Sequence, residues 1–276
     1  AGLNNTADYT TAVGYGALSN NTSGTLNTAV GFCALTTNTG SANTAVGNQA
    51  LRNNSTANSN VAVGDSAAII TTTGANNVAI GSETMKCNTE GCRNTAVGHS
   101  ALKSSACASF NVAVGYLAMF DNTTGYQNVA VGYGSLENNT TGNNSTAVGQ
   151  GSLGANTCGS ANTAIGKSAM LCNTEGAQNV AVGENALRGN LCAACNVAVG
   201  LNALCSNTSG CLNTAVGAGA LPGNTSGICN TAMGRNTLLS NTCGHCNVGI
   251  GSGALYANST GCYNVSVGTR SMLCNT

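Results

Sequence analysis

The sequence predicts an all-β chain: a parallel β-solenoid or β-roll of about 16 coils of 17 residues, with two short strands in each coil. Three observations predict it. The box Asn-Thr/Val-Ala-Val/Ile-Gly returns sixteen times, its glycines running from Gly14, Gly31 and Gly47 to Gly251 and Gly268 at a step of 17 residues, once 16. Glycine stands at two fixed places in the repeat, and Asn and β-branched residues fill much of the rest, which a helix disfavours. No apolar period of 3.6 residues is present.

Counting each repeat from its box glycine as offset 0, the consensus reads Gly-x-x-Ala-Leu-x-x-Asn-Thr-x-Gly-x-x-Asn-Thr/Val-Ala-Val. Offsets 3 and 4 form one short apolar segment, with Leu or Met at offset 4 in every repeat except where Ala68 stands. Offsets 14 to 16 form a second. Between them lie Asn-Thr-x-Gly, as at Asn122-Thr123-Thr124-Gly125, and the box glycine itself; both are turn signals, because Gly accepts positive φ without penalty. Two strands and two turns make one coil, and sixteen coils at the inter-strand spacing of about 4.8 Å would stack to roughly 75 to 80 Å. The repeat runs through residues 1–276 without a break, so we expect one uninterrupted array; it starts and stops in mid-repeat and reads as a piece of a longer protein.

Charge marks the wet positions. All sixteen Lys, Arg, Asp and Glu fall at offsets 1, 2, 5, 6, 9, 11 or 12, as with Asp65 at 1, Arg52 at 5 and Arg93 at 12. Leu18, Leu35, Leu51 and Leu102, with Val13, Val30, Val46 and Ile80 of the box, are therefore the expected core. If offset 16 points inward, strand alternation turns offset 15 outward. Offset 15 is Ala in fourteen repeats and never charged. A face so free of bulk and charge suggests cover by another copy of the chain, and the expected partner is the chain itself, as a homo-oligomer such as a trimer or as an end-to-end filament.

Asn fills offset 13 in fourteen repeats, among them Asn27, Asn43, Asn60, Asn77 and Asn94, and recurs at offset 7. Stacked in register, such amides can bond to the same residue one coil away and cap turn backbone, so we read them as structural ladders.

Asn111-Val112-Ala113-Val114-Gly115-Tyr116 and Asn128-Val129-Ala130-Val131-Gly132-Tyr133 carry a resemblance. The box resembles the Asn-Thr-Ala-Val-Gly-Tyr-type repeats of viral and phage fibre proteins and, more distantly, the Hep/Hag head repeats of trimeric autotransporter adhesins. The resemblance spans the chain and implies a parallel β-roll, often trimeric, on an exposed fibre. The matched positions are scaffold, so no functional residue is carried over.

The fifteen cysteines occupy only offsets 2, 5, 6, 9, 11 and 12, which are wet positions. Exposed thiols in such number suggest an oxidising setting and disulfides. Within a coil the candidates are Cys87 with Cys92, Cys192 with Cys195, Cys243 with Cys246 and Cys205 with Cys211; between coils, Cys195, Cys211, Cys229, Cys246 and Cys262 supply one cysteine each to five successive coils. Spacing alone does not choose among them. Cys192-Ala193-Ala194-Cys195 and Cys243-Gly244-His245-Cys246 are both CxxC, but they lie three coils, roughly 14 Å, apart and cannot share one zinc ion. No metal or cofactor is expected.

Asn21, Asn122, Asn207, Asn224 and Asn258 head N-glycosylation sequons that the repeat itself generates. The net charge of zero and the 6% of charged residues provide no field for nucleic acid, and no apolar run is long enough to insert into a membrane. His99 and His245 are the only histidines and the charged groups are scattered singly, so no acid–base or nucleophile–base pair can be assembled. The expectation is a non-enzymatic structural protein, a rigid fibre or filament that is extracellular or on a cell or virion surface. The alternatives are an adhesive or receptor-binding shaft with glycan contacts and, behind it, an ice-binding solenoid.

Overall fold

The structure is a computed structural model that describes residues 1–275. It is all-β, a β-solenoid with no helix among the described residues and sixteen strands of three residues each. These are β1 (Thr11–Val13), β2 (Thr28–Val30), β3 (Thr44–Val46), β4 (Val61–Val63), β5 (Val78–Ile80), β6 (Thr95–Val97), β7 (Val112–Val114) and β8 (Val129–Val131), then β9 (Thr146–Val148), β10 (Thr163–Ile165), β11 (Val180–Val182), β12 (Val197–Val199), β13 (Thr214–Val216), β14 (Thr231–Met233), β15 (Val248–Ile250) and β16 (Val265–Val267). Every one occupies offsets 14 to 16. The chain divides into two compact units, Ala1–Thr141 and Gly142–Thr276. In the first, β1 to β8 pair in sequence order, all parallel and in register, as Ala12↔Ala29 and Ala62↔Ala79. In the second, β9 to β16 do the same. The 16-residue coil, from Gly31 to Gly47, loses one residue between Thr39 and Gly40 of its turn and leaves β2 and β3 in register.

There is one strand per coil, not two. The expected second strand at offsets 3 and 4 is laddered between coils, for example Leu187 N–H to Ala203 C=O at 2.9 Å, but its backbone is not extended. Offsets 2 and 4 are left-handed, as at Glu83 (φ 56°) and Met85 (φ 49°), or Asn185 (φ 55°) and Leu187 (φ 52°). Alternation of hand turns the chain sharply while each left-handed residue still reaches a neighbouring coil, as Asn185 N–H does to Lys167 C=O at 3.0 Å. A left-handed non-glycine costs about 1–2 kcal/mol. Burying the leucine it carries returns about 1.5–3 kcal/mol, which offsets the strain at offset 4.

Leu18, Leu35, Leu51 and Leu102 are buried as expected. The box valines are not. Val13 is 56% exposed and Ile80 40%, while the alanines between them, Ala29 through Ala232, lie inside. The expected orientation of the strand is thus inverted: offset 15 is core and offsets 14 and 16 face outward. The reason is the neighbouring Asn, which is buried at offset 13 and fixes the alternation so that offset 15 shares its side. A coil whose interior already holds a leucine and two asparagines has room for a methyl group and no more.

Candidate functional site

Each coil contributes the same few polar groups to the interior. At offset 13 the Oδ1 of Asn27 accepts from the backbone N–H of Asn43 at 2.9 Å, and its Nδ2 donates to Gly40 C=O, one coil further on, at 2.8 Å. Asn43, Asn60 and Asn77 repeat the pattern, each accepting from the next, up to Asn94 N–H on Asn77 Oδ1 at 2.9 Å. At offset 7 the amide is used twice. Asn173 Nδ2 donates to Asn156 Oδ1 in the preceding coil at 2.8 Å and to Gly176 C=O in its own turn at 3.0 Å. The column continues through Asn190, Asn207, Asn224, Asn241 and Asn258. In the first unit Thr71 and Ser105 occupy this position in place of Asn, and the oxygens of Asn54, Thr71, Asn88 and Ser105 are left buried without a partner.

This geometry corrects the glycan expectation. Asn21, Asn122, Asn207, Asn224 and Asn258 are all fully buried, and each Nδ2 donates to a turn carbonyl. The amide nitrogen that would carry a sugar faces the interior, where a glycan has no room. A sequon shows the residue types and says nothing of which way the amide points.

All fifteen cysteines carry free thiols, and none of the candidate pairs is bonded. Cys87, Cys192, Cys195, Cys229, Cys243 and Cys262 are exposed; Cys92, Cys205, Cys211 and Cys246 are half-buried. Offset 11 has a role the sequence did not reveal. Where a polar side chain stands there it accepts a hydrogen bond from the offset-11 backbone N–H of the preceding coil, as do Ser109 (from Cys92, 3.0 Å), Ser160 (from Asn143, 3.0 Å) and His245 (from Ile228, 3.3 Å). The only signal was the recurrence of small polar residues at that place. No group of three or more His, Cys, Asp or Glu side chains that could hold a metal occurs among the described residues.

No protein-family model, curated protein or solved structure matches the chain. Function must be read from its surfaces.

Two surfaces stand out. The strand face carries Thr or Val at offset 14 and Val, Ile or Met at offset 16 in every coil, without one charge. Along offset 1, rings stack at the coil spacing: His99 on Tyr116 at 5.4 Å, Tyr116 on Tyr133 at 5.5 Å, and Tyr15 on Phe32 at 5.5 Å. The same vertical logic joins charges: Glu83 takes Lys86 at 2.7 Å in its own coil and Lys103 at 2.6 Å in the next. The hydrogen bond from Lys103, then that from Lys86, holds the Glu83 carboxyl down at about 2, and the same contact raises Lys86. The repeated arrangement ties coil to coil.

Proposed function

We propose that the chain is a non-enzymatic structural array, a segment of an extracellular or surface fibre that associates with copies of itself. The observation that carries this reading is the backbone ladder that joins successive coils of each unit, backed by Asn columns broken at few places, such as Thr71 and Ser105, with charge confined to outward positions. Such an array resists bending because every coil is bonded to both neighbours, and it offers shape more than chemistry.

Self-association is assigned to the outward Thr/Val and Val face, the alanines being internal. Eight strands about 4.8 Å apart and about 10 Å long give each unit a footprint of roughly 380 Å². That is a typical size for an interaction patch (about 300–600 Å²) and below the roughly 800 Å² per partner of a stable complex. Association through it is therefore concentration-dependent. Cryo-electron microscopy of native material, without reductant, should show arrays joined through this face. Val182→Asp together with Val199→Asp should leave the circular dichroism unchanged and abolish sedimenting oligomers. Chains that stay monomeric at every concentration, with the face open to water, would overturn the reading.

A second reading is favoured by one observation: Thr28, Thr95, Thr163 and Thr231 present their side chains on this same regular, charge-free face, as an ice-binding surface requires. Thermal hysteresis of the monomer would support it, and its absence leaves the face to self-association.

A further inference from the structure

The register of the coils sorts the fifteen thiols. At offset 11, Cys92, Cys211 and Cys262 are already engaged, their Sγ atoms accepting from the backbone N–H of Ala75 (3.3 Å), Ala194 (3.4 Å) and His245 (3.2 Å). Ser41 and Asn58 do the same work elsewhere, so these cysteines serve as backbone acceptors. At offset 12, Cys195, Cys229 and Cys246 share one left-handed conformation, with φ of 60°, 58° and 57°, and so point the same way from their coils. Cys195 has Leu212 as its counterpart in the next coil, and its thiol is directed at Gln178 Oε1, 3.5 Å away.

Cys229 and Cys246 are different. Of all the cysteines in the sequence, they alone occupy the same offset in consecutive coils. Each stands two residues before a strand, and those strands, β14 and β15, pair in register as Thr231↔Val248. The Cys246 N–H bonds to the C=O of Ile228, adjacent to Cys229, at 3.0 Å. Residues so placed lie one inter-strand spacing apart, about 4.8 Å. Disulfides need Cα separations of about 4.4–6.8 Å and Cβ directions that do not point apart. Loss of hydration, and then the neighbouring Cys229, pushes the Cys246 thiol up, in keeping with this placement.

We propose that Cys229 and Cys246 are a modification site, a coil-to-coil disulfide closed by thiol–disulfide exchange with a small-molecule disulfide. Cys229 is the more exposed and meets the oxidant first. Its thiolate attacks one sulfur of oxidised glutathione, forming a mixed disulfide and releasing one glutathione thiolate. Cys246, once deprotonated, attacks the Cys229 sulfur, forms the protein disulfide and expels the second glutathione. Two protein thiols lose two electrons and two protons; one oxidised glutathione becomes two reduced molecules. The other offset-12 cysteine has no partner in register and stops at the mixed disulfide.

The test is to incubate the full reduced chain with oxidised glutathione, alkylate the remaining thiols, cleave with chymotrypsin and sequence the products by tandem mass spectrometry. The expected internal link is Cys229–Cys246, lighter by two hydrogens, while Cys107, which has no same-offset neighbour, carries glutathione. In Cys229→Ser the link disappears and Cys246 is recovered alkylated or glutathionylated; Ser59 already occupies offset 12, so this variant keeps the coil. Separate glutathione adducts on Cys229 and Cys246 in the unsubstituted chain, or a link from either to Cys243 or Cys262, would overturn the proposal.

Discussion

Thr71 and Ser105 interrupt a ladder that the rest of the chain maintains, and repairing it should stabilise the first unit. At Thr71 the Oδ1 of Asn54 and the threonine hydroxyl are both buried and unpartnered; at Ser105 the same holds for Asn88 Oδ1 and the serine hydroxyl. In intact stretches each Asn Nδ2 reaches the preceding Oδ1, as Asn207 does to Asn190 at 3.2 Å, and its own turn carbonyl, as Asn207 does to Gly210 at 2.9 Å. Thr71→Asn would give Asn54 Oδ1 a donor and Asn88 Nδ2 an acceptor. An unsatisfied buried polar atom costs about 1–3 kcal/mol, so each repair should gain about that much, and Thr71→Asn with Ser105→Asn roughly twice as much. Because an array of coils need not unfold all at once, the assay should be local. Hydrogen exchange of backbone amides in the coils around residue 71 should slow about tenfold for each 1.4 kcal/mol gained. The converse, Asn207→Thr, should speed exchange in its own coils by a similar factor. If both repairs leave exchange unchanged while Asn207→Thr is also neutral, the amide columns do not hold the coils together, and the argument for stiffness fails with them.

Three further predictions rest on other features. Since the Glu83 carboxyl is held at about 2 against an ordinary 4.5, its ion pairs contribute stability above pH 4.5 that fades as pH falls through that interval toward 2; an acid titration of unfolding should show this loss in the parent and not in Glu83→Gln. Gly183→Ala would place a methyl 2.6 Å from the Gly200 carbonyl oxygen and should cost over 4 kcal/mol, whereas Gly151→Ala meets only Leu171 Cδ1 at 3.4 Å, at a left-handed site where other coils carry side chains, and should cost about 1 kcal/mol in a denaturant melt. Ala181→Val, inward, should destabilise by about 1–3 kcal/mol through overpacking, while Val180→Thr, outward, should stay within about 0.5 kcal/mol; the opposite order would restore the orientation expected from sequence.

The repeat made the fold class, the coil length and the strand position legible, because a Gly at every offset 0 and turn residues at offsets 7 to 10 leave offsets 14 to 16 as the extended stretch. The orientation of that stretch was not legible from size and polarity. Valine is larger and more apolar than alanine, so placing Val30 inside and Ala29 outside followed the usual preference; the interior of so narrow a coil reverses it. The deciding residue was in view, since Asn27 and Ala29 lie two apart and must share a face. The left-handed leucines were hidden for another reason: strain at Leu187 is tolerated only through contacts with neighbouring coils, and no local propensity reports it. The sequons at Asn207 and Asn224 misled because a modification motif is blind to burial, and the thiols at Cys211 and Cys262 because a side-chain-to-backbone bond across 17 residues has no signature within one repeat.

The amide column of offset 7 runs in one direction. From Asn173 to Asn258 every Nδ2 points back to the coil before it and every Oδ1 waits for the coil after it. A column of this kind has a sense, like an arrow, and its two ends are chemically unlike: one offers hydrogens, the other lone pairs. Two such ends fit only tail to head. Any end-to-end joint that continues the column must therefore be heterologous, and heterologous joints that do not close into rings generate open chains of unlimited length. Growth by that route would proceed with a fixed polarity, set by the orientation of a carboxamide.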